Sequence, residues 1–160
     1  MSNEITLSEL QEFIGRFWYH YDEANYQEMA AGFAEDIRFI TRSDSGASPF
    51  EELMSPELSG RSEVVEWMIE HRQQSPYPLR HFINNIFRTG TSGDVTSASL
   101  YLFVTQTANY VPFGVSSGIA KVSVRRGSQG LEFTDMNVVL DITDSVILAE
   151  LATKSVTADA

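Results

Sequence analysis

The stretch Leu79-Arg80-His81-Phe82-Ile83-Asn84-Asn85-Ile86-Phe87-Arg88 is where the chain turns from helical to extended patterning. Its aromatic and β-branched residues favour a strand. Alternation places His81, Ile83, Asn85 and Phe87 on one face and Phe82, Asn84 and Ile86 on the other, so both faces read as covered. An imidazole at the start of such a strand titrates near neutrality and can take a proton. Asp22 ends an aromatic-rich amphipathic helix earlier in the chain, and a carboxylate beside an imidazole orients it and raises its basicity. Each residue also has a plainer reading. A lone histidine commonly bonds a backbone carbonyl, and an aspartate at a helix end shapes a helix–turn–helix connection.

Upstream of that stretch the periodicity is helical. Thr6 with Glu9 forms a capping-box signature. Leu7, Leu10, Ile14, Phe17 and Tyr21 then recur at three- and four-residue spacing, with Phe13 and Trp18 widening the stripe. Asn25 with Glu28 repeats the signature, and Tyr26, Met29, Ala30 and Phe33 continue a second, shorter helix. Residues 37–41 alternate as a first strand. The segment from Arg42 to Gly60 is polar and broken by Pro49 and Pro56, which reads as a loop with a helical turn around 50–54. Arg61 to Gln74 reads as a third helix carrying Val64, Val65, Trp67, Met68 and His71.

Downstream, strands are predicted at about 79–89, 95–107, 115–126 and 131–142, joined through Gly90, Gly93, Gly114, Gly127 and Gly130. The links are too short for crossover helices, so these strands run antiparallel. Helices first and strands after predict an α+β domain with helices on one face of a curved sheet. One domain is expected over 1–152, with 153–160 as a frayed tail.

The chain has 160 residues, enough to bury roughly two-thirds of its unfolded surface in one core. Its 11 basic residues are outnumbered by 22 acidic ones, a formal charge of −11. Such a surface repels phosphate backbones and anionic headgroups, which argues against nucleic-acid and membrane partners. No apolar run approaches the roughly 18 residues of a membrane span. Met1-Ser2-Asn3-Glu4 lacks the basic and apolar regions of a secretory signal. With no cysteine there are no disulfides, thiol nucleophiles or thiolate metal sites, and a reducing cytoplasm fits. His20, His71 and His81 lie in separate elements without metal-ligand spacing.

Tyr21-Asp22-Glu23-Ala24-Asn25-Tyr26, followed by Met29, Phe33, Ala34-Glu35-Asp36 and Phe39, resembles the helix–helix–strand opening of the nuclear transport factor 2-like, or SnoaL-like, superfamily. Gly60-Arg61 leading into the third helix is similar to the same group. His81-Phe82-Ile83 resembles the scytalone dehydratase branch, where a histidine precedes such a strand. The resemblance implies a cystatin-like cone, three N-terminal helices on a strongly curved mixed, mostly antiparallel sheet. It implies a cofactor-independent dehydratase or isomerase acting on a small hydrophobic cyclic or polyketide-like molecule, in which His81 is the general base, Asp22 orients it and Tyr21 stabilises oxyanion charge.

The same comparison brings Asn137 and Asn85 forward as polar pocket residues, while Tyr26 flanks Asp22 in the sequence and could donate a phenolic hydrogen bond to it. Thr41 stands where the branch has a second tyrosine, Ser116-Ser117 where it has a second pocket histidine, and Phe17 where related dehydrochlorinases have a lysine. The substrate is therefore not inherited. The superfamily also contains the small β subunits of ring-hydroxylating dioxygenases, whose C-terminal segment Val138-Val139-Leu140-Asp141 and Val146-Ile147-Leu148 resemble. That relation implies a non-catalytic subunit or ligand-binding module as the alternative. For the leading reading a homodimer through the sheet, or a trimer, is expected, and for the alternative a complex with a larger, iron-containing partner chain.

Overall fold

In the computed structural model, residues 4–43, 57–75 and 78–141 are described. The helical turn expected around 50–54 and the tail expected at 153–160 lie outside them.

Helix α1 (Leu7–Asp22) begins as its capping box requires. The Thr6 hydroxyl accepts from the Glu9 N–H at 3.2 Å, and the Glu9 carboxylate accepts from the Thr6 N–H at 2.9 Å. Leu10, Ile14, Phe17, Trp18 and Tyr21 form its buried stripe, and Asp22 is buried with them. The second predicted capping box does not form. Ala24 takes a left-handed φ of 57°, so Asn25 folds back toward α1, its amide 3.3 Å from His20 Nδ1 rather than on the next helix. Helix α2 (Tyr26–Ala31) is accordingly short.

Phe33, predicted to continue that helix, instead opens strand β1 (Phe33–Ser43). Its fully buried ring packs edge-on against Phe17 at 5.1 Å and beside Phe133 at 6.1 Å, so core packing overrides the helical spacing. Within the segment read as a loop, β2 (Glu57–Ser59) pairs antiparallel with residues 38–40. Helix α3 (Arg61–Gln74) follows Gly60, whose φ of 91° suits glycine.

Strands β3 (Leu79–Ser92), β4 (Val95–Ala108), β5 (Val111–Gly127) and β6 (Gly130–Leu140) complete one sheet in the order β2-β1-β6-β5-β4-β3. Only the β1–β6 pair is parallel among these neighbours. The result is an α+β fold with a strongly curved mixed sheet, as expected. The core lies between the helices and the inner face, where Leu100, Leu102, Ala120, Val122, Phe133, Met136 and Val138 alternate with outward residues.

The alternation in β3 is interrupted. Asn84 pairs with Tyr101 but Phe87 pairs with Ser99, and between them Asn85 takes a φ of 54°. This bulge inserts one extra residue and flips the pattern beyond it. Ile86 therefore packs on the core while Phe87 is 54% exposed, on the outward side that Phe82 also faces. The predicted common face of His81, Ile83, Asn85 and Phe87 holds only as far as Ile83.

Helices α1 and α3 are bolted together at their C-terminal ends. Arg72, 5% exposed, donates from Nε to the carbonyls of Tyr21 (3.2 Å) and Asp22 (3.1 Å) and from Nη2 to Asp22 again (2.7 Å). Its Nη1 donates to the Ser75 carbonyl at 3.1 Å. A cation at a helix C-terminus satisfies carbonyls that have no partner within the helix. Beside it, Tyr21 Oη lies 2.6 Å from His71 Nδ1.

Replacing Arg72 by Met leaves those carbonyls buried without a donor. It should destabilise the fold by about 3 kcal/mol, read as a lowered urea midpoint. Burial, aided by the nearby His81, lowers the His71 pKa from 6.5 to about 4. The unfolded chain therefore takes up this proton first as pH falls. The His71 contribution should be intact above pH 6.5 and be lost between 6.5 and 4, by up to about 3 kcal/mol. Urea curves across that range should show this loss in the native chain and not in His71→Leu.

Candidate active site

The last turn of α1 faces the first residues of β3, and Asp22 closes the gap. Its Oδ2 accepts the His81 backbone N–H at 2.7 Å, and its Oδ1 lies 2.6 Å from His81 Nδ1. Two-point attachment fixes the imidazole and strand together. The side chains of His81 and Asp22 are only 10% and 6% exposed. At that separation an ionised carboxylate receives a short, charge-assisted hydrogen bond. A neutral ring that donates from Nδ1 to a carboxylate carries its lone pair on Nε2. Trp18 stacks on the ring at 4.3 Å and 17°, and Tyr21 meets it edge-on at 5.4 Å. The clasped ring is thus held on two sides.

A second cluster abuts the first. Tyr21, 2% exposed, bonds His71 through its phenol, and Trp67 stacks on His71 at 4.8 Å and 14°. Burial is the main reason the Tyr21 phenol is held protonated far above its ordinary range, with Asp22 adding to it and Arg72 opposing. Both indoles of the chain thus stack on imidazoles, and Tyr21 stands between the two pairs.

The other predicted site residues fall in several places. Phe17, 3% exposed, is a core residue packed edge-on against Trp18, Phe33 and Phe133. Tyr26 is half-buried against the same core. Thr41 is buried and in register with Val138, on the inner face. Asn85 is exposed at its bulge and so is turned away from the dyad.

Ser117 pairs with Phe103 on the outer face, and its hydroxyl donates to Asp141 at 2.7 Å. Its neighbour Ser116 lies in the row His81–Val104–Ser116 of the inner face. Ser116 Oγ is buried with no hydrogen-bond partner among the described residues. Asn137 pairs with Lys121 and Ile40, opposite in face to the buried Met136 and Val138. A displacement of one residue along a strand reverses its face, and strand position alone does not reveal it.

Sequence reasoning placed His71 in a helix stripe and left it there. The Trp67–His71 spacing of one helical turn, repeated by Trp18 and Asp22 on α1, was the available signal. Among the described residues no three histidine, aspartate or glutamate side chains are grouped to hold a metal ion. A separate cleft of about 560 Å³ lies by α2 and the β5–β6 turn, lined by Gln27, Glu35, Arg61, Arg125 and Glu132. Its two guanidiniums are already paired, Arg61 with Glu35 at 2.6 Å and Arg125 with Glu132 and Asp36 at 2.8 Å each. Among the described residues no helix is long and apolar enough to cross a membrane.

Comparison with known proteins agrees with this architecture. No curated protein matches the sequence. Among solved structures, ActVI-ORFA from Streptomyces coelicolor is 21% identical, covering 84% of this chain and 96% of its own, with a TM-score of 0.68. The β subunit of benzoate 1,2-dioxygenase from Burkholderia mallei is 18% identical, covering 88% and 93%, with a TM-score of 0.69. A nuclear transport factor 2-like protein with a cystatin-like fold from Novosphingobium aromaticivorans is 17% identical, covering 90% and 87%, with a TM-score of 0.67. At these identities the likeness is one of fold. The sequence model of the SnoaL-like domain matches residues 6–137, most of the helices and sheet described above. The chain belongs to the SnoaL-like domain family, on a cystatin-like, nuclear transport factor 2-like fold.

Proposed function

We propose that the protein is a cofactor-independent dehydratase or isomerase that removes a proton next to a carbonyl of a small hydrophobic cyclic or polyketide-like substrate. The observation that carries this reading is the two-point hold of Asp22 on His81, at 2.7 and 2.6 Å, in an almost closed apolar setting. His81 Nε2 takes the proton, and the Asp22 carboxylate stabilises the imidazolium that results. Ile83, Leu102 and Val104 line the adjoining inner face, which suits apolar rings. Tyr21 has its hydroxyl bonded to His71, so its part in the chemistry runs through that residue rather than through direct contact. An acidic, cysteine-free chain of this kind suits the cytoplasm.

A second reading rests on the outer face of the sheet. Phe82, Tyr101, Phe103, Phe87 and Ile119 are 50, 52, 45, 54 and 37% exposed and gather on β3, β4 and β5. Aromatic surface of this extent marks an interaction site. In our reading a second copy of the chain covers it, giving a homodimer with a trimer as the variant. In the alternative, a larger iron-containing subunit covers it and the protein is a non-catalytic β subunit.

Both readings are open to measurement. His81→Ala and Asp22→Asn should each lower turnover by about 10²–10⁴, with urea midpoints still showing a cooperative fold. Near-native turnover in either would remove the dyad from the mechanism. Light scattering should give twice the 17.9 kDa chain mass. Phe82→Lys with Phe103→Lys should lower it to that of one chain. A native mass of 17.9 kDa would refute the self-association. Co-purification with an iron-containing partner whose turnover ignores His81 would favour the subunit reading.

A further inference from the structure

A second imidazole, His71, lies across Tyr21 from His81. Tyr21 Oη and His71 Nδ1 are 2.6 Å apart. A phenol is the better acid of the two and a neutral imidazole nitrogen the better acceptor, so Tyr21 donates and Nδ1 accepts. A neutral imidazole accepting at Nδ1 carries its proton on Nε2. At His81 the Asp22 carboxylate can only accept, so there the proton sits on Nδ1 and the lone pair on Nε2. The two rings flank Tyr21, with centroids 5.4 Å (His81) and 6.5 Å (His71) from it. Each is pinned by its own indole, Trp18 on His81 and Trp67 on His71. Tyr21 is 2% exposed and spends its hydroxyl on His71, whereas His71 is only half-buried.

We propose that His71 is the second catalytic group of the site, a neutral imidazole whose Nε2–H holds the substrate carbonyl oxygen while His81 removes the adjacent proton. This deepens the dehydratase reading and rests on it. In the step, the C–H bond breaks, its proton goes to His81 Nε2, and its electron pair moves into the carbonyl, whose oxygen gains charge against the His71 Nε2–H. For loss of water, the C–O bond then breaks as the carbonyl re-forms. The departing hydroxide takes the proton back from His81, so both rings end as they began. Tyr21 is the positioning residue, since its phenol fixes the His71 tautomer. The inner-face position in His81's row of strands carries Ser116, so the donor comes from α3 instead.

Two-bond proton–nitrogen NMR spectra of the ¹⁵N-labelled protein at pH 7 should show His71 protonated on Nε2 and His81 on Nδ1. A proton on His71 Nδ1 overturns the assignment whether or not a substrate has been found. With a substrate that the native chain turns over, His71→Leu should lower kcat by about 10²–10³ and shift KM less than about tenfold. His71→Gln, whose amide N–H falls near Nε2, should recover to within about tenfold of native, and His71→Asn should not. Unchanged turnover in His71→Leu, with His81→Ala inactive, defeats this proposal alone. Turnover retained in His81→Ala defeats the dyad reading instead.

Discussion

Asp22 joins the end of a helix to the beginning of a strand through one carboxylate, and most of what is chemically interesting here follows from that contact. One oxygen accepts the backbone of His81 and the other faces its ring, so strand and side chain are positioned together. Arg72 reaches from α3 to the carbonyls of Tyr21 and Asp22, holding the backbone from which the carboxylate projects. Trp18, one helical turn before Asp22, covers the imidazole that Asp22 orients. Two elements distant in sequence thus restrain one ring on β3: α1 supplies both the carboxylate and the stacking indole, and α3 holds the α1 backbone behind them.

Much of this was legible before any geometry was known. The α1 stripe, the third helix and the run of antiparallel strands rest on long periodic segments, where pattern dominates. The pairing of Asp22 with His81 came from a family resemblance, because nothing in spacing says that two groups 59 positions apart will meet. What failed were local rules overruled by tertiary contacts. The Asn25–Glu28 capping signature is present, but left-handed Ala24 turns Asn25 back toward His20. Phe33 fits a helical spacing, but Phe17 and Phe133 draw it into a strand.

The pocket residues on strands illustrate a stricter limit. A side chain's face depends on parity, and parity depends on bulges that composition does not announce. The bulge at Asn85 carries that residue out to solvent. Register places Ser117 and Asn137 on the outer face, while Ser116, Met136 and Val138 look inward. Helical residues suffered less, because a stripe three or four residues wide tolerates an error of one. Tyr21 and Asp22 accordingly fall on the buried side of α1 that the spacing predicts, whereas Asn85, Ser117 and Asn137 lie off the inner face.

The polar cluster is hard to explain as a device for stability. Asp22, Arg72 and Tyr21 are each at most 5% exposed, and removing such groups from water costs more than a well-packed apolar trio would. Leucines at 22 and 81 would fill comparable space without desolvating a charge. His71 adds a further cost, since its burial disfavours the protonated form and leaves stability sensitive to mild acid. The surrounding core is otherwise ordinary, apolar and aromatic, so the fold had cheaper ways to join α1, α3 and β3. A buried carboxylate, two imidazoles and a phenol between them are gathered at the junction of α1, α3 and β3. Stability alone does not account for that gathering, and it lies on the inner side of the sheet while the exposed aromatic residues lie on the outer side.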